Sequence, residues 1–193
     1  MIKCYSPQHT RRILERYRTQ IDDISRKYRL PAALLRAVLY QEMTEIDLLD
    51  IAADLIVAAG AFHKKDSSTG FGQVFGATGV DAINFVIGRG LASPQDFGLA
   101  AGRTLNRDDP RDVRAVWRLL HRDPVKNIEI AAATLLCAAE EMTGRLDFAQ
   151  YSPEELKLIL TRYNANVRHI TPYGEQVYKL YLIEQAKTKP AEP

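Results

Sequence analysis

The segment LPAALLRAVLYQEMT, residues 30–44, has the clearest helical pattern in the chain and also its first functional signal. A proline follows its first residue, where helices commonly begin, and the remainder is rich in Ala and Leu without Gly or Pro. Leu35, Val38 and Leu39 recur with the spacing of a core-facing helix surface. The next position in that series is Glu42, so a carboxylate stands where the pattern predicts an apolar residue.

An out-of-pattern carboxylate such as Glu42 has two interpretations. Burial of an unpaired charge is costly, so the group takes up a proton or finds partners, and desolvation raises its pKa. A raised pKa is what a general acid needs near neutral pH, which makes Glu42 the leading catalytic candidate. The structural alternative is a glutamate at the rim of the helix that reaches into water.

Composition predicts one soluble globular domain. The chain has 193 residues, of which 46% are hydrophobic and 26% are charged. The net charge of +2 is too small to indicate a polyanionic partner. Residues 1–30 hold eight Lys or Arg against three acidic residues, a local charge of +5 that we interpret as a solvated helix face. Weak attraction to an anionic polymer is the alternative.

The sequence has no visible signal peptide and no apolar run long enough to span a bilayer. We therefore expect synthesis in the cytoplasm and no transmembrane segment. Cys4 and Cys137 are expected to be free thiols, because nothing in their positions predicts a disulfide.

Periodicity predicts a mainly α fold with little or no sheet. Helices are expected over residues 10–28, 30–43, 47–61, 80–87, 112–121, 125–142, 153–163 and 172–186. The apolar helix at 125–142 is the expected buried axis. Residues 1–29 are predicted to form a basic amphipathic helix that packs on a domain spanning 30–186, and 187–193 to form a disordered tail.

The predicted third helix carries three aspartates on one side. Asp47 has the position of an N-cap, and Asp50 and Asp54 follow it on the same helical stripe. A row of carboxylates could bind a cation, but we interpret this stripe as the solvated side of the helix.

The loop GFGQVFGATG, residues 70–79, is rich in glycine but lacks the spacing of a dinucleotide-binding or P-loop motif. Its glycines would let an extended polymer approach the backbone, with the Gln73 amide beside it. We expect no metal site and no cofactor, because the four histidines form no helical pair and each is expected at the surface. They are His9, His63, His121 and His169.

Four short segments occur in an informative order. They are QEMT, which contains Glu42; STGFGQV; DPVKNIEIAAATLL; and LTRYNANV, which contains Tyr163 and Asn164. This set, from about residue 30 to residue 181, resembles the lytic transglycosylase branch of the lysozyme-like superfamily. In that family a helix ends in the catalytic glutamate, a Gly-rich loop ending in Gln follows, and a late Tyr-Asn motif closes the cleft.

The resemblance implies a lysozyme-like helical fold and cleavage of the β-1,4 bond between N-acetylmuramic acid and N-acetylglucosamine in bacterial peptidoglycan, by a bacterial or phage protein. A single glutamate acts first as acid and then as base, leaving a 1,6-anhydro sugar. Glu42 would take this role, and Tyr163 would hydrogen-bond to it and orient it. The implied substrate-binding residues are Thr44, Gly70, Phe71, Gly72, Gln73 and Asn164.

The chain departs from the family pattern at three points. Met43 replaces the usual Ser, so that hydrogen bond is lost unless Thr44 supplies it. The helix that carries the three aspartates is inserted between Glu42 and Gln73, and Asn166 stands where the late motif usually continues to Gly.

Two other functions stay open at this point. A hydrolytic muramidase would need a second carboxylate, for which the nearby candidates are Glu45, Asp47, Asp66 and Asp81. The other open function is non-catalytic: either a binding protein with the lysozyme-like fold or a helix-turn-helix protein that binds nucleic acid. The second has some support from Arg114, Arg118 and Arg122, which lie on or beside one predicted helix. We nevertheless expect no nucleic-acid partner. For the enzyme the expected partners are glycan strands and a secretion machinery, phage particle or inhibitor protein. It would reach the periplasm or cell wall by a non-Sec route.

Overall fold

The computed structural model describes residues 3–59 and 66–188. Within these ranges the chain forms nine α-helices and one two-stranded antiparallel sheet, so the predicted mainly α class is confirmed. The helices are α1 Pro7–Arg16, α2 Arg18–Tyr28, α3 Ala32–Glu45, α4 Leu48–Ala59, α5 Gly76–Gly88, α6 Pro110–Arg122, α7 Pro124–Thr143, α8 Pro153–Asn164 and α9 Pro172–Thr188. The strands are β1 Ser68–Thr69 and β2 Val74–Phe75, and short 3-10 turns lie at Pro94–Phe97 and Phe148–Gln150.

Helix α7 is the buried axis of the fold, as predicted. The Asp123 side chain accepts from the first free amides of the helix, and Gly144, in the left-handed conformation, ends it. An almost continuous run of its residues is buried, and α2, α5, α6 and α8 pack around it. Its more exposed residues lie mainly near its ends, such as Lys126 and Glu141, which explains the apolar sequence between them.

Helix α3 is enclosed on several sides. It packs against α9, α1, α2 and α7, and Leu34, Leu35 and Leu39 are fully buried. The burial continues on one side of its last turn, where Glu42 and Met43 are buried, whereas Glu45 on the other side is exposed.

The N-terminal region differs from the single predicted helix over residues 10–28. Two helices, α1 and α2, meet at Tyr17, whose backbone leaves the helical conformation. The break lets α1 pack on α3 while α2 packs on both α3 and α7. It also turns the Tyr17 ring edge-on toward Phe71, with 5.3 Å between ring centroids.

Two helix boundaries were also wrong. Helix α5 begins at Gly76 rather than at residue 80, because the Asp66 carboxylate accepts from the amides of Gly76 and Ala77 at 2.6 and 2.9 Å. A cap supplied from ten residues away leaves no local signature. Helix α9 continues to Thr188, so the first two residues of the predicted tail are helical, and residues 189–193 lie outside the described ranges.

The aspartate stripe of α4 faces the protein instead of solvent. Asp47 is buried and caps the helix through the amides of Leu49 and Asp50 at 2.7 and 3.2 Å, as predicted, while Asp54 accepts from loop hydroxyls. The solvated side is apolar instead, and its exposed members are Leu48, Leu49, Ile51 and Leu55. The carboxylates face inward because their hydrogen-bond donors lie on that side. The predicted end of this helix, residues 60–61, lies outside the described ranges.

No described helix combines the length and apolarity needed to cross a bilayer. Cys4 and Cys137 are both free, as predicted. Of the histidines, His9, His121 and His169 are exposed, as expected, and His63 lies outside the described ranges.

Candidate active site

A cavity of about 490 Å³, here called the cleft, opens beside the last turn of α3. The β1–β2 hairpin, the first part of α5, the middle of α7 and the residues that end α8 form its other walls. Glu42, Gln73, Tyr163 and Asn164 all line it. The structure thus brings together residues that are up to 122 positions apart in the sequence.

Glu42 is the buried carboxylate of the cleft, with only 8% of its surface exposed. Burial raises its pKa to about 7, and the nearby carboxylates of Glu45 and Asp50 act in the same direction, whereas a hydrogen bond from Tyr173 lowers it. A carboxyl group with this pKa exchanges a proton near neutral pH, which is the property of a general acid and base. Glu42 is buried, as its place on the apolar stripe predicted, and it does not reach into water at the rim of the helix; its catalytic role stays a prediction.

The tyrosine that hydrogen-bonds Glu42 is not the predicted one. The hydroxyl of Tyr173, in the first turn of α9, donates to Glu42 Oε1. The hydroxyl of Tyr163 donates to the Gly72 carbonyl oxygen at 2.6 Å. Burial raises the pKa of both phenols well above the usual value, so both stay neutral donors. Tyr163 is therefore a neighbour of Glu42 in the cleft that supports the glycine loop.

The loop from Gly70 to Gln73 is held by the buried amide of Asn127 on α7. Asn127 Nδ2 donates to the carbonyls of Thr69 and Leu120 at 2.9 and 3.1 Å, and its Oδ1 accepts from the Gly72 amide at 2.7 Å. A Cβ on Gly70 or Gly72 would lie 2.0 Å from Asn127 or 2.6 Å from Ala131. The glycines therefore serve close packing of the loop on α7.

Five of the six predicted substrate-binding residues, all except Thr44, divide into three groups. Gln73 and Asn164 line the cleft, whereas Gly70 and Phe71 line a neighbouring pocket and Gly72 is bound to Asn127. The Gln73 amide is used within its own turn, accepting from the Ser68 hydroxyl at 3.1 Å and donating to the Gly70 carbonyl at 2.9 Å. Gln73 thus shapes the hairpin that forms the cleft wall.

Thr44 does not supply the hydrogen bond that Met43 cannot make. Its hydroxyl donates to the carbonyls of Tyr40 and Gln41 at 3.0 and 2.9 Å, within its own helix. A threonine at the end of a helix readily bonds backward in this way. This geometry does not make the Glu42 contact, and Thr44 is not among the residues that line the cleft.

The second-carboxylate candidates also separate. Asp47 and Asp66 serve as helix caps, whereas Glu45 and Asp81 line the cleft. Lys3 pairs with Glu45 at 2.6 Å and Arg107 pairs with Asp81 at 2.5 Å.

Asp50 is a further cleft carboxylate, absent from the predicted set. It accepts from the Asp47 amide at 2.9 Å and forms no ion pair with a Lys or Arg of the described residues. It lies close enough to Glu42 for its charge to raise the Glu42 pKa.

A polar cluster lies behind the hairpin. The Thr69 hydroxyl donates to Asp54 at 2.6 Å and lies 3.0 Å from His121 Nδ1, while Ser67 Oγ donates to Asp54 and accepts from the Trp117 indole. In a catalytic triad the histidine stands between hydroxyl and carboxylate. Here the buried Thr69 hydroxyl stands between the Asp54 carboxylate of α4 and the His121 imidazole of α6. The cluster therefore holds α4 against α6. No group of His, Cys, Asp and Glu suited to a metal ion occurs in residues 3–59 and 66–188.

Tyr173, Asn127 and Asp50 were not assigned roles from the sequence. Asn127 lies in the segment DPVKNIEIAAATLL and Tyr173 follows the proline that opens the last predicted helix. Nothing local indicates what either side chain meets 55 or 131 positions away. Asp50 could have been found from its shared stripe with Asp47, had the inward direction of that stripe been recognised.

Comparison with protein-family models, with curated proteins and with solved structures finds no match to this chain.

Proposed function

We propose that this protein is a lytic transglycosylase that cleaves the glycan strands of peptidoglycan at the N-acetylmuramic acid–N-acetylglucosamine bond. The observation that carries the proposal is Glu42: a buried carboxyl group at the end of a helix that lines the cleft, with a pKa raised to about 7. The four segments that resemble the family converge on the same cleft or on the loop that borders it.

The reaction needs one carboxyl group in two protonation states. Protonated Glu42 donates its proton to the glycosidic oxygen as the bond from that oxygen to C1 of N-acetylmuramic acid breaks. The Glu42 carboxylate then accepts the proton of the 6-hydroxyl of the same sugar, whose oxygen bonds to C1. A 1,6-anhydro ring results, Glu42 is protonated again, and no water is consumed.

In this proposal Tyr173 orients Glu42, and the hairpin helps to position the sugars. The Tyr173 hydroxyl fixes the orientation of Glu42 and stabilises its ionised form, which is needed for the second step. Tyr163 holds the Gly72 carbonyl, Gln73 shapes the hairpin wall, and Asn164 presents its polar side chain to the cleft. The proposed substrate lies outside the cytoplasmic membrane, so the proposed site of action is the periplasm or cell wall.

Hydrolysis in the same cleft is a second candidate, favoured by one observation. Asp50 lines the cleft and forms no direct ion pair with a Lys or Arg of the described residues, although Lys3 lies near enough for the two charges to interact. Its carboxylate is therefore available to activate a water. An inverting hydrolase uses two carboxyl groups, one as acid and one as base. In that case Glu42 keeps the acid role and Asp50 takes the base role.

Digestion of purified peptidoglycan, with the products read by mass spectrometry, tests both candidates. Wild type is compared with Glu42→Gln, which keeps the shape but cannot transfer the proton, and with Glu154→Gln, an exposed carboxylate on α8. Anhydro ends from wild type and Glu154→Gln, and not from Glu42→Gln, are expected. Reducing ends in the products would overturn the transglycosylase proposal and support the hydrolase. No cleavage by folded wild-type protein would overturn both.

A further inference from the structure

A second pocket of about 280 Å³, here called the side pocket, lies on the other side of the Gly70–Gln73 loop. Ile46, Asp50 and Gln73 line both this pocket and the cleft. The two spaces therefore adjoin along one wall, and a branched substrate bound in the cleft could extend a branch into the side pocket.

The walls of the side pocket are largely apolar. Ile51, Leu55, Phe71, Leu120 and Pro124 contribute to them. Apolar walls of this kind accommodate the aliphatic or backbone portion of a ligand by removing it from water.

Carboxylates give the pocket its charge. Asp50 and Asp54 both line it, and neither forms a direct ion pair with a Lys or Arg among residues 3–59 and 66–188. Lys3 lies near enough to Asp50 for their charges to interact, without a direct contact. Asp54 is held in place by the Ser67 and Thr69 hydroxyls at 2.7 and 2.6 Å, with the His121 imidazole 3.6 Å away. An aliphatic chain that ends in an ammonium group matches both features, since its stem suits the walls and its charge suits the carboxylates.

Other ligand classes fit less well. A calcium ion takes six to eight oxygen ligands, and these mostly hydrocarbon walls do not offer them. An N-acetylated sugar is neutral and adds no counter-charge to either carboxylate.

We propose that the side pocket binds the peptide branch of the glycan substrate through a residue that carries a primary ammonium group, with Asp50 and Asp54 as its anionic partners. This inference depends on the proposed function for the glycan itself, because peptidoglycan carries short peptides on alternate sugars, commonly with a diamino acid. Helix α4 forms much of the pocket, so its inward aspartates serve recognition of the branch.

The test measures binding separately from cleavage. Three soluble glycan fragments of equal length are titrated calorimetrically into the non-cleaving Glu42→Gln protein: one without peptide, one whose peptide has a free side-chain ammonium, and one in which that amine is acetylated. The free-amine fragment is expected to bind about three- to tenfold more tightly than the acetylated one, as for a partly exposed ion pair with two carboxylates. In parallel, cleavage of the same fragments by wild type tests the proposed function.

Substitutions in the side pocket test whether the preference for the free-amine fragment arises there. Asp54→Asn removes a charge while keeping a hydrogen-bond acceptor. Leu55→Lys places a competing ammonium group at an exposed position of α4 whose side chain forms no hydrogen bond. The second variant still tests the proposal if the first one does not fold. Both are expected to bring the ratio of affinities toward one, whereas Asp108→Asn, at an exposed position outside both spaces, keeps it.

Equal affinity for the free and acetylated fragments would overturn the side-pocket assignment, even where wild type cleaves all three. An amine preference unchanged in Asp54→Asn and Leu55→Lys would overturn it too. Preference without cleavage by wild type would support the pocket and overturn the proposed reaction.

Discussion

Glu42 links the chemistry of the cleft to the stability of the protein. Its pKa rises from 4.5 to about 7 on folding, chiefly because of burial, so the folded state holds the proton more tightly than the unfolded state. Below the unfolded value both states are protonated and burial of the group carries no charge penalty. As pH rises from the unfolded to the folded value the penalty accumulates, and above the folded value it is present in full.

The substitution Glu42→Gln is therefore expected to stabilise the protein in a pH-dependent way. At pH 8 the variant should unfold with a free energy roughly 2–3 kcal/mol higher than wild type, because a neutral amide replaces a buried charge. At pH 5 the difference should shrink to a small fraction of that. Urea unfolding at both values measures it, and a difference independent of pH would show that ionisation of Glu42 is not its source.

Tyr173 is expected to tune Glu42 through its hydroxyl. Tyr173→Phe removes a hydrogen bond that favours the ionised carboxylate, so the Glu42 pKa should rise further and the alkaline limb of the wall-digestion profile should move to higher pH. The rate should fall about tenfold, because the carboxylate loses its orienting partner. A pH–rate profile measures both effects. Tyr181→Phe, which alters a hydroxyl bonded to Gln185 on the same helix, should change neither.

The glycine loop depends on α7 through Asn127. Asn127→Ala leaves the Gly72 amide and two carbonyls unpaired in a buried place and should lower the unfolding free energy by roughly 2–4 kcal/mol. It should also weaken substrate binding, since the loop forms the shared wall of the cleft and the side pocket. Asn84→Ala is the matched control, because Asn84 bridges Leu105 in a comparable way outside the cleft. Equal losses of substrate affinity in the two variants would contradict a specific role for the loop.

Helices whose signals are local were predictable from the sequence, and those governed by distant partners were not. Proline and the adjacent caps mark the starts of α7 and α8, and their predicted bounds agree with the structure within a residue or two. Helix α5 is capped by Asp66 from across a loop, and its predicted start was wrong by four residues. The inward face of α4 was hidden because its leucines are the exposed side and its aspartates the bonded one.

The site shows the same division. Glu42 was predicted because it interrupts the apolar periodicity of α3, and its position on the apolar side of that helix explains why it is buried. Its partner Tyr173 was missed because the family resemblance pointed to Tyr163, and only the packing of α9 on α3 brings the Tyr173 hydroxyl to Glu42. Periodicity predicts which side of a helix is buried, and it gives no information on which of two tyrosines reaches a given oxygen.

The N-terminal helices belong to the same core as the cleft. Ile21 and Tyr28 of α2 are buried in the main hydrophobic cluster, and Lys27 and the Tyr28 hydroxyl bond to Glu129 on α7 at 2.7 and 3.2 Å. Removal of these helices would uncover faces of α3 and α7 and leave Glu129 with fewer partners. A protein stable by only about 5–15 kcal/mol does not tolerate such a loss.

The full chain is therefore expected to unfold in one cooperative step, with the fluorescence of its single Trp117 and far-UV circular dichroism giving coincident transitions in urea. A chain that lacks residues 1–29 should lose that cooperative transition, because the helix carrying Glu42 would lose the packing that buries it. Replacement of the exposed Glu15–Arg18 pair by alanines is the control and should cost less than about 0.5 kcal/mol. A cooperative transition retained by the truncated chain would mean that α1 and α2 are an appendage, and that burial of Glu42 is supplied by α7 and α9 alone.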